Sequence, residues 1–178
     1  MDGRINMRGE NMNIIYREAE IGDSSALIEF LETVGGETDN LSFSAGSLKL
    51  TKESEERFLK RFKSNRKNLM LVAELDGEIV GNASIERERV ERYSHRAELS
   101  IVVKKKFWGQ GIATRLMELL IEFAKSSAVE ILQLEVRRDN ERAVNLYKKF
   151  GFSLVGVYED FFKINGKYYD ASFMCLKI

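Results

Sequence analysis

Apolar and polar positions recur with two periods along this chain, and the two periods predict its secondary structure. Short apolar runs and alternating residues predict seven strands: 14–17, 69–75, 78–86, a strand that follows the charged turn 87–92 and ends at 103, 130–136, 152–164 and 168–178. Apolar residues three and four positions apart predict four helices: 24–34, 52–64, 112–126 and 141–150. Asp23, Thr51 and Asn140 are of the residue types that cap helix N-termini, while Gly35-Gly36 predicts the end of the first helix.

The order of these elements is β-α-α-β-β-β-α-β-α-β-β, which predicts an α/β (α+β) fold with a mixed, mostly antiparallel sheet flanked by helices. The Asp76-Gly77 and Asn165-Gly166 pairs predict tight hairpin turns. The strand, helix and strand over 99–136 form a parallel crossover, whereas the other connections are antiparallel. We expect residues 1–12 to be a flexible leader and residues 13–178 to form a single domain.

Composition narrows the function classes. The 178 residues include 28 basic and 28 acidic side chains, so the net charge is zero. This balance argues against general binding of nucleic acid or anionic membranes, which needs a basic excess. A single cysteine, Cys175, excludes an internal disulfide and a multi-cysteine zinc site. No apolar run reaches membrane-spanning length and no signal-peptide pattern opens the chain, so we expect a cytoplasmic protein with neither membrane nor metal partner.

The most informative segment joins the strand that ends at 103 to the helix 112–126. Three lysines at 104–106 are followed by Phe107 and Trp108, and Gly109 and Gly111 then open the helix. Glycines let the backbone approach a ligand, and the first N–H groups of a helix have no internal partner. With the helix dipole they favour phosphate. A tight turn without a ligand remains an alternative. A dinucleotide site would use Gly109, Gly111 and Thr114, but Thr114 replaces the small third residue.

Two motifs in this region resemble those of the GNAT superfamily of acetyl-CoA-dependent N-acetyltransferases. Residues 108–113, Trp-Gly-Gln-Gly-Ile-Ala, resemble the pyrophosphate loop Q/R-x-x-G-x-G/A, with Trp108 in place of the usual Gln or Arg. Residues 138–152 resemble the signature N-x-x-A-x-x-x-Y-x-x-x-G-F, in which Asn140 and Tyr147 are the marked residues. The tryptophan variant is similar to branches that act on protein N-termini, polyamines or free amino acids.

The resemblance implies a set of residues that contact acetyl-CoA. The strand before the loop would offer backbone groups to the pantetheine arm, the loop amides would hold the diphosphate, and basic residues, including Lys104, Lys105 and Lys106, would steer the nucleotide. The predicted cofactor-binding residues are Ile101, Val102, Val103, Trp108, Gly109, Gln110, Gly111, Ile112, Ala113, Thr114, Arg115, Asn140, Ala143, Tyr147 and Lys149.

Two residues are predicted to be catalytic. The resemblance places the Tyr147 hydroxyl near the thioester sulfur, although its position on an apolar helix face also suits a packed core tyrosine. Glu98 is the candidate general base, acting through water on the amine; the alternative is a surface carboxylate paired with Arg96. His95 ranks below Glu98, because a lone histidine in a polar turn is usually only exposed. Cys175 has no activating neighbour in sequence, so direct transfer in a ternary complex is preferred.

The acceptor is predicted to be a small-molecule amine or a peptide N-terminus. By analogy with the family, it would lie between the segment 37–50 and the terminal hairpin, near Glu37, Asp39, Tyr168 and Asp170. An acetyl-CoA-binding regulatory module without efficient catalysis is the alternative function. Exposed sheet edges and the aromatic hairpin are compatible with a homodimer.

Overall fold

The computed structural model describes residues 13–88 and 90–178, so the predicted leader 1–12 lies outside the described residues. The strands are β1 Ile15–Glu18, β2 Leu69–Leu75, β3 Glu78–Arg87, β4 Arg96–Val103, β5 Ile131–Arg137, β6 Ser153–Ile164 and β7 Lys167–Lys177. The helices are α1 Ser24–Glu37, α2 Lys52–Ser64, α3 Ile112–Ser126 and α4 Glu141–Lys149. The predicted order of strands and helices is therefore confirmed, with bounds that differ by a residue or so at most ends.

All seven strands form one sheet in the order β1-β2-β3-β4-β5-β7-β6. Only β4 and β5 are parallel, so the mixed, mostly antiparallel sheet is confirmed. The pairing of β4 with β5 stops at Glu98 and Gln133, although β4 continues to Val103 and β5 to Arg137. Beyond that point the two strands separate and open a cleft in the middle of the sheet.

The helices cover the sheet on both sides. On one side, α3 buries Ile112, Leu116 and Leu120 against β2, β3 and β4, and Tyr147 of α4 belongs to the same apolar cluster. On the other side, α1 and α2 form a second cluster around Phe30. The spacing of apolar residues along α3 therefore directs one face of the helix into the core, while its N-terminus lies at the cleft.

The predicted end of α1 at Gly35-Gly36 is wrong. The helix continues through both glycines to Glu37. A Cβ atom on Gly35 would lie 2.8 Å from the backbone nitrogen of Ala45 and 2.9 Å from the carbonyl carbon of Ser44. Gly35 therefore permits close packing of the helix against the segment 38–51 that follows it, and it does not stop the helix.

The caps of the other helices follow the prediction more closely than that of α1. Thr51 caps α2 by accepting a hydrogen bond from the Ser54 N–H at 3.2 Å. Asp23 does not cap α1, since its carboxylate pairs with Arg17 at 2.7 Å and accepts the Glu20 N–H at 2.7 Å. None of the helices in the described part of the chain has the length and apolar character needed to cross a membrane.

Candidate active site

A cavity of about 830 Å³ lies where β4 and β5 separate. Its walls come from the end of α1 and the segment after it, from β4 and β5, from the loop before α3 and from α4. Most of the predicted catalytic and cofactor-binding residues line it: Glu98, Ile101, Val102, Val103, Trp108, Gly109, Gly111, Ile112, Ala113, Thr114, Asn140, Ala143, Tyr147 and Lys149. Two segments that are about thirty residues apart in sequence therefore line the same cavity.

The loop before α3 leaves backbone N–H groups at one end of this cavity. Gly109 and Gly111 have φ angles of 81° and 84°, in the left-handed region that favours glycine. Gly111 is the N-cap of α3, and no side chain in the described residues caps it. The first helical amide with a backbone acceptor is that of Arg115, which donates to the Gly111 carbonyl at 3.0 Å. The N–H groups at 112–114 therefore remain available to an anion, and the helix dipole favours one.

Trp108 fixes the loop in place of the usual glutamine or arginine. Its indole Nε1 donates to the Val103 carbonyl at 2.7 Å, and the Arg142 guanidinium lies 5.1 Å from the indole ring centroid. The loop is also held from the opposite side, because the Lys105 N–H donates to the Glu37 carboxylate at 2.7 Å. Trp108 thus connects the loop to β4 and α4. These contacts hold the backbone amides of the loop in place without a glutamine or arginine at position 108.

The three lysines of the loop have different environments. Lys104 is only 6% exposed and pairs with Glu78 at 2.6 Å, and Lys106 lies 3.3 Å from the same carboxylate. Hydrogen bonds from these two lysines hold the pKa of Glu78 below its usual value. Lys105 and Lys149 make no ion pair with any described residue. Lys149 lines the cavity and Lys105 does not, so Lys149 is the predicted steering cation that the structure places at the site.

Helix α4 brings Asn140 and Tyr147 to the same cavity. The Asn140 side chain accepts the Ala143 N–H at 3.3 Å, so it is the N-cap of α4 as the sequence predicts. Tyr147 is 7% exposed and its ring centroid lies 5.7 Å from that of Phe152. Burial raises the pKa of Tyr147 to about 12, so its hydroxyl keeps its proton at neutral pH. Tyr147 is therefore both a core residue and a hydrogen-bond donor at the cavity wall.

Glu98 lies on the face of β4 that borders the cavity, among other carboxylates. The register of β3 and β4 is unbroken, so Glu98 faces Glu86 directly, and Ser100 shares its face. Loss of solvent raises the pKa of Glu98, and the nearby charges of Glu135, Glu86 and Glu88 raise it further. Partial burial also raises the pKa of Glu135. These effects bring the Glu98 carboxyl closer to the pH range in which a general base works.

The alternative interpretation of Glu98, a pair with Arg96, does not occur in this structure. The Arg96 guanidinium donates to the side-chain oxygen of Gln133 on β5 instead. No cation among the described residues forms an ion pair with Glu98. The carboxylate is therefore available to a ligand or water in the cavity.

A protein-family model described as the acetyltransferase (GNAT) family matches residues 38–152. The chain belongs to this family. The match contains β4, β5, the loop before α3 and all of α4, which form most of the cavity wall. The family resemblance that the two sequence motifs predicted is therefore confirmed.

Two curated relatives have similar sequences. The chain is 36% identical over 105 residues to the L-amino acid N-acetyltransferase AaaT of Escherichia coli (strain K12), a match that covers 58% of this chain and 65% of the relative. It is 35% identical over 106 residues to the spermidine N(1)-acetyltransferase of the same organism, covering 59% of this chain and 56% of the relative. The chain thus spans somewhat over half the length of these GNAT relatives.

Solved structures extend the likeness to nearly the whole chain. A GNAT-family acetyltransferase from Streptococcus pneumoniae superposes with a TM-score of 0.90 at 36% identity, covering 93% of this chain and 99% of that one. A GNAT phosphinothricin acetyltransferase from Sinorhizobium meliloti, solved with acetyl-CoA, has a TM-score of 0.82 at 16% identity, covering 94% and 89%. The second comparison shows the shared GNAT fold alone.

Some predicted site residues of this GNAT chain lie outside the cavity lining. The Gln110 side chain donates to the Lys106 carbonyl at 3.0 Å, and Arg115 pairs with Glu118 at 3.0 Å on the surface of α3. These contacts direct both side chains away from the cavity, so only the Gln110 backbone remains a candidate contact.

The predicted acceptor residues are not brought together either. Glu37 binds the Lys105 N–H, and Asp39 contributes its carbonyl oxygen to Arg137 at 3.0 Å. Tyr168 is 51% exposed, and Asp170 pairs with Arg138 at 3.3 Å on the surface. None of the four lines the cavity, because the contacts of the loop and the hairpin with distant elements set their orientation.

His95 and Cys175 stay outside this cavity as well. The carbonyl of His95 accepts the Glu130 N–H at 2.8 Å at the far end of β4. Cys175 is half-buried, and its sulfur lies 4.0 Å from the Ser153 hydroxyl oxygen. The lining residues that sequence reasoning missed include Arg137, Arg142 and Glu135, whereas the segment 40–43, which also lines the cavity, lies within the predicted segment 37–50. Of these residues, only Glu135 could have been identified from the sequence, because it lies on the predicted strand that runs parallel to the strand of Glu98.

Proposed function

We propose that this protein is an N-acetyltransferase that moves the acetyl group of acetyl-CoA to a primary amine. The observation that carries the proposal is one cavity with an anion-binding helix N-terminus at one end and with Glu98 and Tyr147 in its wall. The acetyltransferase relatives support the same reaction class. Direct attack in a ternary complex fits best, because Cys175 is outside the cavity where the donor would bind.

The residues present fit acetyl-CoA as the donor. The free N–H groups at 112–114 and the cation of Lys149 suit its phosphates. The inner edge of β4 beyond Glu98 lacks pairing with β5, so its backbone groups are available to the amides of the pantetheine arm. Bound there, acetyl-CoA supplies an activated thioester carbonyl to which an amine can add.

Glu98 is proposed to take the proton that the amine must lose. An ammonium group has no lone pair, and amines have pKa values of about 8 to 10.4, so most are protonated at neutral pH. The raised pKa of Glu98 makes its carboxylate a stronger base than an ordinary surface glutamate. Because this group must be ionised to act, activity should fall as the pH falls through the raised pKa of Glu98.

Tyr147 is proposed to donate a hydrogen bond to the sulfur of the leaving thiolate. Its pKa of about 12 lies well above the value of about 8.5 for a thiol, so full proton transfer from the phenol is unfavourable. A hydrogen bond to a developing negative charge stabilises it without that transfer. The proton that the sulfur finally gains then comes from water or from the protonated base.

The test combines turnover with binding. Release of coenzyme A thiol is followed with acetyl-CoA and a pooled set of amines, and acetyl-CoA affinity is measured by calorimetry. We expect Glu98→Gln to lower kcat by about 10²–10⁴-fold and Tyr147→Phe by about 10–100-fold, with acetyl-CoA affinity unchanged within about threefold in both. Acetyl-CoA binding without turnover of any amine would instead favour a cofactor-binding regulatory module.

We further propose a homodimer that uses the edge strand β6. Leu154, Val155 and Tyr158 are 56%, 69% and 60% exposed on that strand, which is more apolar surface than an edge normally leaves to solvent. Sedimentation equilibrium tests this proposal. The cytoplasmic location remains a prediction from the sequence.

A further inference from the structure

A second cavity, of about 440 Å³, adjoins the first along β4 and β5. Glu98 and Glu135 line both cavities. The floor of the second cavity is formed by β4, β5 and β7, and the exposed strand β6 forms its outer wall through Val157 and Tyr158. A molecule in this space would meet the proposed base directly, so the second cavity is the natural place for the acceptor amine.

The second cavity carries charges of both signs. Glu98 and Glu135 lie on one side, and Arg96 lies two residues before Glu98 on the same face of β4. The Arg96 guanidinium donates to Gln133, but its Nε atom is buried without an acceptor among the described residues. No carboxylate in the described part of the chain pairs with Arg96. The arginine therefore offers an unneutralised charge to this space.

We propose that this cavity binds a free α-amino acid, with its α-carboxylate at Arg96 and its amine at Glu98. This inference rests on the proposed function. Residues two apart on a strand are separated by about 6.6 Å. Their side chains project from the same face of the strand, so the guanidinium of Arg96 and the carboxylate of Glu98 border the same space. The side chain of the amino acid would lie against Val157 and Phe173, which favours an apolar one.

The same charges select against other amines. A polyamine has no carboxylate for Arg96 and would bring a second positive charge towards it. A peptide N-terminus offers a neutral amide carbonyl at that position, which makes a weaker hydrogen bond to a guanidinium than a carboxylate does. Arg96 is thus a specificity-determining residue, and Glu98 acts on the amine of any acceptor.

The experiment compares L-leucine, L-leucinamide and spermidine as acceptors for the wild type and for Arg96→Gln. Leucinamide has the same amine and side chain as leucine but no carboxylate. We expect Arg96→Gln to lower kcat/KM for leucine by about 10–100-fold and to change kcat/KM for leucinamide by less than about threefold. A loss of structure would lower both values together, so leucinamide is the internal control. Arg138→Gln, which removes an exposed arginine outside both cavities, should change neither value.

Two outcomes would overturn the inference: equal losses for leucine and leucinamide, or a wild type that prefers spermidine to leucine. A wild type that acetylates none of the three acceptors counts against the proposed function. In that case calorimetric titration of leucine in the presence of coenzyme A decides the inference separately. Binding to the wild type but not to Arg96→Gln supports it, and equal or absent binding refutes it.

Discussion

The two glycines at the end of α1 provide a matched pair for testing how the segment 38–51 packs against that helix. Gly35 is buried, and an added Cβ would lie 2.8 Å from the backbone nitrogen of Ala45. Gly36 is exposed, and its nearest neighbour would be the Ala45 Cβ at 3.7 Å, an ordinary contact. Gly35→Ala and Gly36→Ala are thus the same chemical change in the same helix, and they differ in the space available.

The expected energies have opposite signs. In a helix interior, alanine is more favourable than glycine by about 0.8–1 kcal/mol. Gly36→Ala should therefore raise the free energy of unfolding by about 0.5–1 kcal/mol, since Gly36 lies close to the helix end. At Gly35 the clash is with two backbone atoms that cannot rotate away, so the overpacking cost lies in the upper part of the usual range, at about 2–3 kcal/mol. The net effect of Gly35→Ala should be a loss of about 1–2 kcal/mol.

Urea denaturation measures both effects. With an m-value of about 2 kcal/mol/M, Gly35→Ala should lower the midpoint by about 0.5–1 M, and Gly36→Ala should raise it by about 0.3–0.5 M. The slopes should stay equal to that of the wild type. Because the segment 40–43 lines the first cavity, where acetyl-CoA is proposed to bind, Gly35→Ala should also weaken acetyl-CoA binding. If the two variants had equal midpoints, the close approach of the segment to α1 would be refuted.

Two further substitutions test residues that the fold buries. Arg137 lines the first cavity and bridges the Asp39 carbonyl at 3.0 Å and the Asp139 carboxylate at 2.7 Å. Because lysine cannot keep both contacts, Arg137→Lys should weaken acetyl-CoA binding about tenfold in calorimetry, while Arg138→Lys leaves the affinity unchanged. Equal affinities for the two variants would contradict this role. Burial raises the pKa of Glu55, so ionisation of this carboxyl destabilises the fold as the pH rises above 4.5. In urea titrations, Glu55→Gln should therefore be more stable than the wild type at pH 7 but not at pH 4. A stability difference that is independent of pH would refute this prediction.

The sequence predicts the donor half of the site because local rules determine it. Gly109 and Gly111, with the apolar spacing of α3, specify a loop that opens a helix, and the structure adds only the φ angles. The cap at Asn140 and the hairpin turns are local for the same reason. These features need no knowledge of which residues are distant in sequence but close in space.

The packing of the segment 37–50 depends on contacts that local patterns do not encode. Arg137 reaches the Asp39 carbonyl, which is 98 positions away in sequence, and Glu37 reaches Lys105 across 68 positions. Gly35 resembles a helix stop until the segment that packs on it is known. The contacts of Glu37 and Asp39 are therefore not readable from the local sequence, whereas alternation along β4 places Glu98 on the cavity side once the sheet register is known.

One irregularity in the sheet links the proposed donor site to the proposed base. β4 pairs with β3 along its whole length to Val103, and β5 pairs with β7 to Arg137, so each strand is fixed on its outer side. Their inner edges part after Glu98 and leave backbone N–H and C=O groups that must find partners elsewhere, because unpaired groups are costly when buried. A ligand arm with amides of its own meets that need much as an added strand would. Pairing stops at Glu98, whose side chain lines the cavity, so the break that leaves room for the proposed donor also sets the position of the proposed base.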